Sequence, residues 1–233
     1  MTAYQSPRTS LLFWPAIRAA LLGGCLAGCG GGVGMKSTDG YDKIKFKDDA
    51  QSNTEVKPKQ LSEMSFVDGA GKTVDLKPFV GKKNVVLVVT RGYVGSEKPN
   101  EDGKVVGSFC LYCSTQTSRL IANYDEFRKR QAEVLVVFPV AHEGDKIQMN
   151  QFLAKVQQKP QGTAKDVPFP LLLDPELHVV DQLGIRADLS KPATYILDKA
   201  GQMRFAYVGQ HMADRPSVKA LLTQLDVINA SPP

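Results

Sequence analysis

Two stretches of the chain are apolar almost without interruption: residues 84–90, carrying Val85, Val86, Leu87, Val88 and Val89, and residues 134–139, carrying Val134, Leu135, Val136, Val137 and Phe138. β-Branched runs of this length form strands buried on both faces, so the sheet they build must be covered on both sides. Residues 169–173 read as a shorter strand, and residues 192–198 and 203–208 as a pair turned by Lys199-Ala200-Gly201. A small hairpin precedes them, Ser65-Phe66-Val67 and Lys72-Thr73-Val74-Asp75 about the turn Asp68-Gly69-Ala70-Gly71. Between the strands the apolar period changes to that of helices. Leu120, Tyr124 and Phe127 make one stripe, and Ile147, Phe152, Leu153 and Val156 make a second, with Asp145 placed to cap it. Residues 175–183 form a short helix stopped by Gly184, and Val218, Leu221, Leu222 and Leu225 line a last helix opened by Asp214 and Pro216. Strand, helix, strand, helix is the order of a parallel sheet, here closed by an antiparallel pair. The expected class is α/β, a central mixed sheet flanked by helices.

The N-terminal quarter has a different texture. Arg8 and Arg18 flank a short apolar run that ends in Leu26-Ala27-Gly28-Cys29, and the run is too short and too interrupted to span a bilayer. The order of charge, apolar run and small residues is that of a secretory signal, residues 1–28. The last four residues resemble the lipobox of bacterial lipoproteins, in which the cysteine becomes the lipidated N-terminus. Cys29 would be that residue, although Cys25 follows a similar run. Gly30, Gly31, Gly32 and Gly34 and the polar stretch after them lack the apolar surface needed to offset ordering, so residues 29–60 are expected to form a flexible tether to a domain over 61–233. An exported protein, lipid-anchored in the cell envelope of a bacterium, follows from that resemblance. The net charge of +5 falls to +3 once Arg8 and Arg18 leave with the signal, and the lysines are dispersed among acids, which argues against nucleic acid as a partner.

With Cys25 and Cys29 assigned to the N-terminal segment, Cys110 and Cys113 remain as the thiols of the domain. They form a Cys-x-x-Cys pair where an extended stretch gives way to a helix, close enough to share one disulfide. A cysteine on the first turn meets unpaired backbone N–H groups and the positive end of the helix dipole, which favours its thiolate. Cys110 is thus the candidate nucleophile and Cys113 its resolving partner. Structural zinc would need two further ligands, and no second cluster supplies them. Residues 92–109, with Ser96, Pro99, Asn100, Glu101, Asp102 and Gly103, interrupt the connection from strand to helix and read as a surface loop.

Taken together, these residues resemble the thioredoxin fold, a three-layer sandwich, and within it the redoxin group that includes alkyl hydroperoxide reductase and thiol-specific antioxidant proteins. The resemblance spans residues 61–228. It is carried by Arg91-Gly92, by Cys110-Leu111-Tyr112-Cys113 with Gln116 and Leu120, by Asp174-Pro175, and by Pro192-Ala193-Thr194-Tyr195-Ile196-Leu197-Asp198 with Gly201 and Val208-Gly209. It implies that Pro192 is cis and faces the cysteine pair, where, with Arg91 and Phe109, it would contact substrate. Two departures stand out. The Pro-x-x-x-Thr/Ser-x-x-Cys loop of the peroxidases is missing before either cysteine. The guanidinium those enzymes place beside the reactive cysteine would fall near Lys191 or Pro192, leaving Arg91 and Arg186 as substitutes. The expected activity is therefore dithiol–disulfide oxidoreduction on a protein disulfide or dithiol partner. Peroxide reduction by the same cysteines is the alternative, and a soft-metal-binding lipoprotein a third reading. No metal, nucleotide or flavin cofactor is called for.

Overall fold

The computed structural model describes residues 43–55, 61, 64–94, 108–142, 146–158 and 167–231. The signal segment, Cys29, the glycine-rich part of the tether, the loop residues from Ser96 to Gly103 and Asp145 lie outside them.

Among the described residues nine strands and five α-helices follow in order. Strands β1 (Ser65–Asp68) and β2 (Thr73–Asp75) form the expected hairpin, its turn fixed by the Asp68 carboxylate, which accepts from the Ala70 and Lys72 N–H groups at 2.9 and 2.8 Å. A 3-10 turn leads to β3 (Asn84–Val89), followed by β4 (Tyr93–Val94) and β5 (Ser108–Phe109). Helix α1 (Leu111–Ala122) comes next, then α2 (Tyr124–Lys129), β6 (Ala132–Val140), α3 (Lys146–Gln157), β7 (Leu171–Pro175) and α4 (His178–Gln182). The chain finishes with β8 (Ala193–Leu197), β9 (Met203–Val208) and α5 (Val218–Ala230).

Seven strands make one mixed sheet in the order β2-β1-β7-β6-β3-β8-β9. The two apolar runs pair in parallel at its centre, Val86 beside Val134 and Val88 beside Val136, while β8 runs antiparallel to β3 and β9 antiparallel to β8. Alternate residues of these strands feed two cores. Val86, Val88, Val136 and Phe138 pack beneath α1, α2, α3 and α5 with Leu120, Phe127, Phe152 and Leu221. Val85, Leu87, Val137 and Tyr195 pack on the other face with Leu61, Leu76, Val179 and Val180. Helices on both faces complete the three-layer α/β sandwich, and truncating any of the fully buried aliphatic side chains to alanine is worth about 2–5 kcal/mol.

Three local differences from the sequence reading have physical causes. The helix after the cysteines breaks at Asn123, whose φ of −113° and ψ of 14° depart from helical geometry, giving α1 and α2 in place of one stripe. Helix α4 is shorter than expected, since Glu176 and Leu177 adopt left-handed φ values of 57° and 63°. That turn lets the buried Asp174 carboxylate accept from the Val179 and Val180 N–H groups, both at 2.9 Å. The ends of the stretch read as a surface loop pair with each other as a two-stranded ribbon, Tyr93 opposite Phe109.

The larger correction concerns the tether. Residues 43–55 of that stretch lie along the domain. Asn53 donates its N–H to the Ala206 carbonyl at 3.0 Å, and its side chain both donates to and accepts from the Val208 backbone at 2.9 Å. Ala50 is buried. This strap covers the open edge of β9, an edge that would otherwise leave backbone groups unpaired. Its polarity misled the sequence reading, since its contacts are hydrogen bonds to a distant strand.

Candidate active site

Strand directions decide what can meet the cysteines. Because β8 opposes β3 and β9 opposes β8, β9 runs parallel to β3, so the connections leaving β3 and β9 and the one entering β8 share one edge of the sheet. Gly92, in the connection leaving β3, needs its left-handed φ of 72°, and a Cβ there would lie 2.6 Å from the Pro139 carbonyl oxygen.

Cys110 is the N-cap of α1 and half-buried; Cys113, one turn on, is buried, and both are free thiols. The residue that joins them is Arg215, in the connection after β9. Its side chain is 1% exposed. Its Nη2 donates to Cys113 Sγ at 3.0 Å and reaches Cys110 Sγ at 3.9 Å, Nη1 donates to Gln116 Oε1 at 2.7 Å, and Nε donates to the Met212 carbonyl at 2.8 Å. The Arg91 N–H adds a contact to Cys113 Sγ at 3.4 Å.

These neighbours drive the two thiols apart in acidity. A hydrogen bond from Cys113 lowers Cys110 from the ordinary value of 9.0 to about 6; burial opposes this, and the charge of Arg215 and the backbone N–H groups of Cys113 and Tyr112 reinforce it. Burial, aided by the neighbouring Cys110, pushes Cys113 well above 9.0 despite Arg215. Although Arg215 lies nearer to Cys113, the thiolate belongs on Cys110, which has both solvent access and the helix N-terminus. The arrangement holds an accessible nucleophilic sulfur with a protonated thiol behind it.

The other residues singled out from the sequence are placed as follows. Phe109 adjoins Cys110 and packs on Tyr93, with ring centroids 5.0 Å apart, and on Phe152 at 6.1 Å. Arg91 meets the pair through its backbone only, its guanidinium turning to Asp188 at 3.2 Å. Arg186 is half-exposed and committed to Asp181. Neither is the guanidinium beside the sulfurs. Pro192 does lie at the site's edge of the sheet, next to Ala193, which pairs with Val89. Its peptide is trans, which corrects the cis expectation. Its carbonyl accepts from the Gly209 N–H at 2.8 Å, so it buttresses the connection that carries Arg215. The sequence reading passed over Arg215 because Asp214 and Pro216 mark a helix start and drew the attention. The signal was there in the topology: once β9 is assigned parallel to β3, the single arginine after it must fall at the cysteine edge.

The AhpC/TSA family profile matches residues 57–206, well over half the chain. The chain belongs to the AhpC/TSA family. It is a thiol-dependent oxidoreductase. Solved structures share the fold: a cysteine-to-serine mutant of peroxiredoxin 6 of Arenicola marina matches at 14% identity with a TM-score of 0.57, over 74% of this chain and 73% of that one. Peroxidoxin BcpB from Mycobacterium tuberculosis matches at 16% identity and 0.51, over 77% of this chain and 99% of that one. No curated protein sequence matches the chain. In this member of the AhpC/TSA family both Arg215 and the strap over 43–55 fall outside the stretch that the profile covers.

Proposed function

We propose that the protein is a thiol-dependent peroxidase in which Cys110 is the attacking thiolate, Cys113 the resolving thiol and Arg215 the cation that stabilises both. The observation that carries this reading is the buried guanidinium in reach of both sulfurs. It reverses the ranking expected from the sequence: the threonine-bearing loop is missing and Arg91 and Arg186 turn to carboxylates, but Arg215 supplies a guanidinium able to align a peroxide.

In the first step the Cys110 sulfur attacks one peroxide oxygen. An S–O bond forms, the O–O bond breaks, sulfur is oxidised to sulfenate, and the leaving alkoxide or hydroxide takes a proton to depart as alcohol or water. Cys113 then attacks the sulfenic sulfur. An S–S bond forms and water leaves with the sulfenic oxygen. An external dithiol reduces the disulfide, regenerating both thiols and becoming a disulfide itself. The same final exchange is the activity of the second reading, a dithiol–disulfide oxidoreductase, which the pairing of an accessible acidic thiol with a buried one also favours.

Single-turnover mixing of the reduced protein with stoichiometric hydrogen peroxide, followed by a sulfenic-acid trap and mass spectrometry, tests the assignment. Cys110 is expected to oxidise orders of magnitude faster than free cysteine. Cys110→Ser abolishes the reaction, whereas Cys113→Ser keeps the first step and accumulates sulfenate. Oxidation no faster than a free thiol, with normal exchange on a protein disulfide, would favour the second reading instead. Residues 1–29 support export and lipid anchoring at Cys29, and a mass spectrum of the N-terminal peptide with an unmodified Cys29 would refute it.

A further inference from the structure

Arg215 sits in a connection whose position is set from outside. Residue 47 of the strap forms a parallel bridge with Pro216: the Lys47 N–H donates to the Arg215 carbonyl at 2.9 Å and the Ser217 N–H donates to the Lys47 carbonyl at 2.8 Å. One strap residue therefore brackets Pro216, holding the Arg215 carbonyl on one side of it and the Ser217 N–H on the other. The Lys47 side chain binds the neighbouring carboxylate, with Nζ 2.8 Å from Asp214 Oδ1 and 2.7 Å from the Tyr207 hydroxyl. Tyr207 donates to the same Asp214 oxygen, and the other accepts from the Gln210 N–H at 2.9 Å. Asp214 is 5% exposed, and against its burial the bonds from Lys47 and Tyr207 hold it to about 2. Both oxygens of this carboxylate are thus engaged by groups other than the guanidinium of the next residue.

The strap also touches the helix that bears the cysteines. Arg119 of α1 donates to the Ile44 carbonyl at 2.7 Å and lies over the Phe46 ring at 5.1 Å, while Asp48 accepts from Ser217, the N-cap of α5, at 2.6 Å.

We infer that the strap, through Lys47, is a positioning element for Arg215, so that the nucleophilicity of Cys110 depends on a segment N-terminal to the family domain. Lys47 acts in two ways. Its backbone fixes the height of Arg215 above the cysteine pair, and its ammonium occupies Asp214, which would otherwise be the nearest carboxylate able to neutralise the guanidinium. The groups that face the thiols are Arg215 and the Arg91 N–H, with the first-turn N–H groups of α1; Gln116 accepts from Arg215, and Lys47 and Tyr207 bind the adjoining Asp214. This inference rests on the reading of Cys110 as the reacting thiolate, and it is independent of the oxidant.

The test uses the full chain and a neutral alkylating probe, iodoacetamide, together with the thiolate absorbance at 240 nm. Lys47→Met is expected to slow Cys110 alkylation at pH 7 by about three- to tenfold and to shift the thiolate titration upward by a matching amount. Lys47→Arg, which keeps the charge for Asp214, is expected to stay within about twofold of the native rate. Should Lys47→Met fail to fold, Asn53→Ala loosens the strap from β9 without touching Lys47 and is expected to move the titration in the same direction by less. A folded variant with a lowered melting temperature but a native titration overturns the inference, because the strap would then be a brace only. A native protein that ignores peroxide while its Cys110 titration still responds to Lys47 refutes the proposed peroxidase and leaves this inference standing.

Discussion

Two arginines of the same domain live in opposite circumstances. At the corner after α4, Arg186 makes a two-point pair with Asp181, both side chains about half-exposed, so its charge is cancelled locally in water and contributes little. In the connection after β9, Arg215 is buried against a carbonyl, an amide oxygen and two sulfurs, and among the described residues no carboxylate pairs with it. Its neighbour Asp214 is spent on Lys47 and Tyr207. A buried cation without a counter-ion is unfavourable. The counter-charge within reach is the one Cys110 acquires by losing its proton. The contrast teaches that a guanidinium becomes chemically useful when the surrounding carboxylates are kept occupied elsewhere.

The sharpest way to break the contrast is Arg215→Met. Its rate of Cys110 oxidation at pH 7 is expected to fall by about 10²-fold or more, and Arg215→Lys is expected to recover only part, because an ammonium cannot reach both sulfurs, Gln116 and the Met212 carbonyl together. Stopped-flow kinetics across pH checks the cause. In the native protein the rate is expected to rise through about pH 6 and then level, and in Arg215→Met the same rise is expected at higher pH. Cys110 is more acidic in the folded state than the ordinary thiol, so its charge adds stability fully above about pH 9. That contribution is lost as pH falls through about 6. A native profile centred near pH 8.5 would show that Arg215 does not favour the thiolate.

A smaller effect is expected at Gly209, where an added Cβ would fall on the Asp214 carbonyl oxygen and lie 2.9 Å from Pro192 Cγ. Gly209→Ala should destabilise the fold by about 1–3 kcal/mol in urea titration and slow Cys110 alkylation, since the turn that sets Arg215 must shift. Unchanged alkylation would mean that the connection tolerates displacement. The smallest effect belongs to the other region: Arg186→Ala should leave the urea midpoint nearly unchanged and the Cys110 rate as it was. A large loss there would erase the distinction drawn between the two arginines.

Elements whose determinants are local were legible in the sequence. Val85 to Val89 and Val134 to Phe138 announce central strands because each residue is buried by the same rule, and Asp68 announces its turn because its carboxylate bonds within four residues. Cys110 and Cys113 were legible for the same reason, their spacing being one helical turn. What escaped was long-range and polar. The strap resembles a linker because Lys47, Ser52 and Asn53 find their partners across the sheet order, at Asp214, Ala206 and Val208. Pro192 was assigned a conformation from resemblance, and its local sequence contains nothing that selects cis or trans. Arg215 is one arginine among many until strand direction says which edge it occupies.

The distance along the chain between Arg215 and Cys110 is 105 residues, and between Lys47 and Tyr207 it is 160. Contacts of such high sequence separation form late in folding. During synthesis Cys110 emerges well before Arg215, and in that interval the thiol lacks the neighbouring guanidinium. The complete site is thus assembled only once the connection after β9 has brought Arg215 to the cysteine pair. A chain stalled short of Val208 carries both cysteines yet lacks the charge that would make them hazardous.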